Sequence, residues 1–162
     1  MAMFRVRLGG KYHDDDSYFD VANYILDLYK TPNHFVGGIS DDPFAVAYQM
    51  QSLAQYFNKD EGVRIRHMIV AFSKEDRVYP SLAFEIAKKI SEYYQSKYQI
   101  IYAVHEDHEA PHIHILMSMV NYNNGQKYDG STKDYNNFLN HIMSVLFPHK
   151  VDLRVDNSEY DD

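Results

Sequence analysis

Two apolar runs, Tyr98 to His105 and Pro111 to Val120, are separated only by Glu106 to Ala110. A parallel crossover needs a dozen or more residues, so two strands this close in the chain must pair antiparallel. The other elements are placed around that pair. Met3 to Leu8 alternates as a first strand closed by Gly9-Gly10, and Val63 to Phe72 alternates at Ile65, His67, Ile69 and Ala71. Helical spacing recurs at Phe19, Ala22, Ile25, Leu26 and Tyr29 after Asp16 or Ser17, and at Phe44, Ala47, Met50, Leu53, Ala54 and Phe57 after Asp41-Asp42-Pro43. A third helix opens at Pro80-Ser81 and a fourth at Ser131-Thr132, and Val151 to Val155 reads as a short edge strand. The order predicts an α+β fold with one mainly antiparallel sheet and helices mostly on one face, rather than a doubly wound parallel sheet.

The same short connection concentrates chemistry. His105-Glu106-Asp107-His108-Glu109-Ala110-Pro111-His112-Ile113-His114 places seven charged or imidazole side chains around one turn. His112 and His114 are two apart on a strand, so both rings leave one face while Ile113 enters the core. A reversal through Pro111 brings His105 beside them. Three neutral imidazoles with positions left for water or substrate make an open divalent-metal site suited to catalysis. A His-x-His pair alone is weak, and among 9 His it is equally well a hydrogen-bonded surface cluster. Asp107 adds to the metal reading as an acid able to accept the second N–H of a ligating imidazole. His108 is an alternative to His105, and His67 can enter from the neighbouring strand as a proton acceptor or phosphate contact.

Composition narrows the setting. The 162 residues suit one domain, 1-162, and 45% hydrophobic with 15% aromatic content is enough for one core. Cys is absent, which removes disulfides and thiolate sites and leaves His, Asp and Glu as strong ligands. No run is long enough to cross a bilayer and the start lacks a secretory apolar core, so a cytoplasmic protein without membrane contact is expected. The net charge of −7 opposes broad nucleic-acid binding, although part of it lies in Asp14 to Asp16 and in an acidic tail, 156-162.

Three segments stand out together: Val104-His105-Glu106-Asp107 through His112-Ile113-His114-Ile115, and on to Asn121, Gly125 and Lys127; Tyr24-Ile25-Leu26-Asp27-Leu28-Tyr29-Lys30-Thr31; and Arg66-His67-Met68-Ile69-Val70-Ala71-Phe72-Ser73. They resemble, in that order, the third motif, the first motif and the intervening segment of the conjugative relaxases of the P-type mobilisation group, His-hydrophobic-His (HUH) single-strand DNA endonucleases, with Phe72-Ser73 in reversed order. The likeness extends over roughly residues 20 to 140.

The resemblance implies a relaxase fold with a ferredoxin-like core, and nicking and rejoining of one DNA strand at a transfer origin. It implies Tyr24 as nucleophile through a 5′-phosphotyrosyl intermediate, His105, His112 and His114 holding Mg²⁺ or Mn²⁺, and accessory relaxosome proteins as partners. Tyr18 and Tyr29 compete with Tyr24. Asp107 is expected behind the ligands, or as the base for Tyr24, with His67 as an auxiliary catalytic group. Lys30, Arg66 and Lys127 flank the motifs as contacts to the DNA backbone. Three alternatives remain open: a rolling-circle replication initiator, a phosphohydrolase using metal-bound hydroxide without Tyr24, and a non-catalytic DNA-binding module.

Overall fold

Residues of period two and of period 3.6 sort as the sequence predicts in the computed structural model, which describes residues 1–157. Residues 158–162 of the acidic tail lie outside the described residues. The strands are β1 (Ala2–Arg7), β2 (Val36–Gly38), β3 (Ile65–Ala71), β4 (Ile100–His105), β5 (His112–Ser118) and β6 (Leu153–Val155). The helices are α1 (Ser17–Ile25), α2 (Pro43–Tyr56), α3 (Pro80–Gln95) and α4 (Thr132–Leu146). Asp42 caps α2 by accepting from the Phe44 N–H, with Pro43 in the first turn, and Ser131 caps α4 through the Asp134 N–H.

The sheet runs β2-β4-β5-β3-β1-β6. Every pairing is antiparallel except that of β6, which lies parallel to β1 at one edge. The α+β reading and the antiparallel β4–β5 pair therefore hold.

The helices do not gather mostly on one face; they divide in pairs. Met68, Val70, Val104, Ile113, Ile115 and Met117 pack with Ile86 and Ile90 of α3 and Phe138 and Ile142 of α4. Ile65, Ile101, Ala103 and Leu116 pack with Val21, Ala22 and Ile25 of α1 and Val46 and Met50 of α2. All six residues of β4 are buried. A strand covered on both sides reads as a continuous apolar run, and that is what Ile100-Ile101-Tyr102-Ala103-Val104 is.

Strand β2 escapes the sequence pattern because two of its residues are glycines. A Cβ at Gly37 would overlap the Tyr102 ring, and at Gly38, where φ is +109°, it would overlap the β4 backbone. Glycine is required by this close approach.

None of the described helices is long and apolar enough to cross a membrane.

Phe138 is 1% exposed and joins α4 to the sheet and α3, with ring centroids 5.8 Å from Phe4 and 4.7 Å from Tyr94. Phe138→Ala is expected to cost about 3–5 kcal/mol by urea denaturation, the loss typical of removing a buried ring.

Candidate active site

The β4–β5 register sets His105 directly across from His112, and His114 across from Ala103. On the other side His114 faces Ile69, and His67 lies two residues before Ile69 along β3, hence on the same face. Four imidazoles therefore share the face that α1 covers. The His105 and His114 rings stack with centroids 3.8 Å apart, and the His112 ring lies 6.5 Å from that of His114. Tyr24, in the last turn of α1, closes the group: its ring centroid is 5.7 Å from His105, 5.8 Å from His114 and 6.2 Å from His67. It is 42% exposed, so one side of the ring meets solvent.

Hydrogen bonds orient these rings. His105 Nε2 donates to the Ile25 carbonyl at 2.8 Å, which leaves Nδ1 carrying the lone pair. His114 Nδ1 and His67 Nε2 are 2.9 Å apart, and His67 Nδ1 is 3.2 Å from the Tyr12 hydroxyl. If the protons run outward, from His114 to His67 to Tyr12, His114 presents the lone pair of Nε2. Support of one ring nitrogen by a carbonyl or a second polar group is the usual backing of a ligating imidazole.

Burial keeps His105, His112 and His114 neutral. It is the main cause that holds His114 well below the ordinary imidazole range, with the positive influence of His67, His105, His112 and Arg7 adding to it. Burial likewise lowers His105, and brings His112 down to about 4 with help from His108. Neutral imidazole is the form that binds metal. The donor chemistry therefore fits a divalent cation. The side chains as they stand are not a finished coordination shell: among the described residues no group of three His, Cys, Asp or Glu is arranged to hold an ion. His105 and His114 lie ring on ring, and the half-buried His112 stacks instead on His108 at 4.0 Å.

The other expected residues separate into two sets. Lys30 joins the cluster, its ammonium 5.2 Å from the Tyr24 ring centroid and 3.7 Å from the Asp107 carboxylate. Asp107 contacts Lys30 and His108 rather than a ring nitrogen of His105, whose outer support is the Ile25 carbonyl. Arg66 and Lys127 are not brought here. Arg66 alternates with His67 and so faces the other side of the sheet, where its guanidinium lies 5.1 Å over the Tyr128 ring. Lys127 donates to the Glu61 carbonyl beyond the far end of β5. Tyr18 is buried and gives its hydroxyl proton to Asp60 at 2.7 Å, while Tyr29 is 94% exposed.

Sequence reasoning missed Arg7 and Tyr12. With Asp20, Val21, Tyr24 and His67 they line a cleft of about 230 Å³ beside the imidazoles. Arg7 sits across from His67 in the β1–β3 ladder. That pairing of the first strand with the third is the signal that would have found it. Burial pushes the Tyr12 phenol up to about 12, which keeps it neutral.

Comparison with known proteins gives these sites a context. The family model described as Relaxase: MobA/VirD2-like, nuclease domain, matches residues 24–144. The group II intron-interrupted relaxase LtrB of Lactococcus lactis subsp. cremoris is 31% identical over 85 residues, 52% of this chain and 14% of that protein. The chain thus matches only a small part of the length of its curated relative. Among solved structures, the MobM relaxase domain bound to plasmid pMV158 oriT DNA, an Mn-bound crystal structure, superposes with a TM-score of 0.63. Identity is 14%, over 99% of this chain and 94% of that one. A chain from work on the molecular basis of vancomycin resistance transfer in Staphylococcus aureus gives 0.61 at 16% identity, covering 99% and 100%. At these identities the two structures show a shared fold.

The lowered His112 fixes the sign of a pH effect. Unfolded, it takes a proton near the ordinary 6.5, whereas folded it does so only near about 4. The unfolded state therefore binds the extra proton between these values, and stability is full above pH 6.5 and declines toward pH 4. Denaturation midpoints measured without added divalent cations are expected to fall from pH 7 to pH 4.5, and to fall less in His112→Asn.

Proposed function

Because the chain belongs to the MobA/VirD2-like relaxase nuclease domains, we propose that it nicks and rejoins one DNA strand at a transfer origin with Tyr24 as nucleophile. His105, His112 and His114 hold Mg²⁺ or Mn²⁺ in this reading. The observation that carries it is the position of Tyr24: a half-exposed phenol in a buried cluster of imidazoles, 5.7 to 6.2 Å from three of them. The two competing tyrosines lie elsewhere, one tied to Asp60 and the other in solvent.

The chemistry is a transesterification. Tyr24 Oη attacks the phosphorus of a phosphodiester and the P–O3′ bond breaks. The phenolic proton is lost, and the departing O3′ gains one and becomes a 3′-hydroxyl. One phosphodiester is exchanged for a 5′-phosphotyrosyl ester, so attack by that hydroxyl restores the strand. A phenol, whose ordinary pKa is about 10, is a weak nucleophile near neutrality and needs a polarised phosphorus. A divalent cation, when bound, supplies that polarisation as a Lewis acid.

The chain's own residues do the rest. His105 Nδ1 and His114 Nε2 carry the lone pairs for the cation, backed by Ile25 and by His67. His67 serves as support for His114 rather than as a base, since both its nitrogens face His114 and Tyr12. Asp107 holds Lys30 beside Tyr24, where the ammonium can meet a phosphate oxygen. Arg7, which lines the same cleft as Tyr24, gives a second cation for the strand.

Labelled single-stranded oligonucleotides from a candidate transfer origin, incubated with Mn²⁺ or Mg²⁺, test this reading. A protein-linked product that survives denaturation is expected. Tyr24→Phe should lower its yield at least about 1,000-fold, as loss of a nucleophile does, while Tyr29→Phe leaves it intact. Metal-dependent cleavage that persists in Tyr24→Phe would instead identify a phosphohydrolase. His114→Ala should weaken Mn²⁺ binding at least about tenfold in calorimetry.

A further inference from the structure

On the face of the sheet away from Tyr24, α3 and the start of α4 enclose a cavity of about 350 Å³ lined by Tyr93, Tyr94, Tyr98, Tyr128, Asp129 and Asp134, with Lys97. Three of the rings form a corner. Tyr94 and Tyr98 have centroids 5.9 Å apart at 70°, Tyr94 and Tyr128 5.8 Å at 89°, and Tyr98 and Tyr128 5.8 Å at 88°. Tyr93 stands at 88° to Tyr94, 4.7 Å away. Rings set nearly perpendicular at this spacing can present π-faces to one shared space from several sides.

The polar groups make that space electron-rich. Tyr93 and Tyr94 donate their hydroxyls to Asp134 at 2.9 and 2.7 Å, and Tyr128 donates at 3.2 Å. With those protons directed at Asp134, the cavity offers ring faces and two carboxylates, set against the single ammonium of Lys97. Burial raises all four phenols, Tyr93 to about 12, so they stay neutral. An anion here would meet Asp129 and Asp134, and an apolar ligand would leave their charge uncompensated. A cation is attracted by both the ring faces and the carboxylates. The fold already uses one of these rings in that way: Arg66, which does not line the cavity, holds its guanidinium 5.1 Å from the Tyr128 centroid. The bonds to Asp134 also tie α3 to α4. That tie requires neither Tyr98, which reaches the group through its ring, nor an open cavity.

We propose that this tyrosine corner is a binding site for an organic cation, an ammonium or guanidinium group, remote from the nicking site. The cation comes either from a free polyamine or from a side chain of a partner protein, and both present the same chemistry. The proposal stands independently of the assignment of Tyr24.

The chain has no Trp, so its emission comes from 15 Tyr, of which four line this cavity. Tetramethylammonium, spermidine and N-acetyl-arginine amide are titrated into the intact protein, with calorimetry alongside. Saturable binding is expected, retained within about threefold in Tyr98→Phe and weakened about tenfold in Tyr98→Leu, which keeps apolar bulk but removes the π-face. Asp129→Asn, on an exposed residue, should also weaken it. Tighter binding of spermidine would identify a polyamine, and tighter binding of the arginine amide a protein side chain. No saturable binding at millimolar concentration, or equal binding in Tyr98→Leu and the parent at unchanged thermal midpoints, would overturn the proposal.

Discussion

Hydrogen bonding between β4 and β5 sets His105 across from His112 and leaves His114 one strand position further in on the same face. A shift of one residue would turn His112 and His114 toward α3 and α4 and bring Ile113 under Tyr24. The short connection through Pro111 and the continuous burial of both strands hold that register. The position of every functional side chain on this face follows from it, including the reach of Tyr24 from α1.

Burial of the imidazoles has two consequences that oppose each other. It costs stability as the pH falls, because the unfolded chain takes protons that the folded chain refuses. It also keeps the rings in the neutral form a cation needs; the Ile25 carbonyl fixes which nitrogen His105 offers, and His67 and Tyr12 hold the ring of His114 in place. The same residues of α1 that seal this face, Val21, Ala22 and Ile25, carry Tyr24 to the edge of the cluster. Stability and chemistry are therefore built from one helix and one ladder.

Much of this was legible in the sequence because strong periodicities drove it. Five of the six strands follow alternation or a continuous apolar run, all four helices follow helical spacing, and the antiparallel pair follows from the length of one loop. Strand β2 was hidden because Gly37 and Gly38 carry no pattern, and their role depends on Tyr102, distant in sequence. The division of helices between two faces was hidden because a strand buried on both sides has no alternation to read. At the site, the histidines were visible as a motif, whereas Arg7 became a neighbour only through the pairing of β1 with β3, and Tyr12 only through the turn after β1 that brings its hydroxyl to His67. Arg66 and Lys127 show the converse. Both flank motifs in sequence, but strand alternation carries one to the opposite face and the β5 direction carries the other to the far end.

The two faces of the sheet thus hold different kinds of site. One gathers imidazoles around a half-exposed phenol, while the other gathers phenols around a carboxylate. The most direct test of the first is to map the covalent product after digestion of the protein–oligonucleotide adduct by mass spectrometry. The account expects the nucleotide phosphate on the peptide containing Tyr24, at the Tyr24 side chain. A nucleotide on Tyr18, Tyr29 or Tyr12, or metal-dependent cleavage with no adduct at any tyrosine, would contradict it.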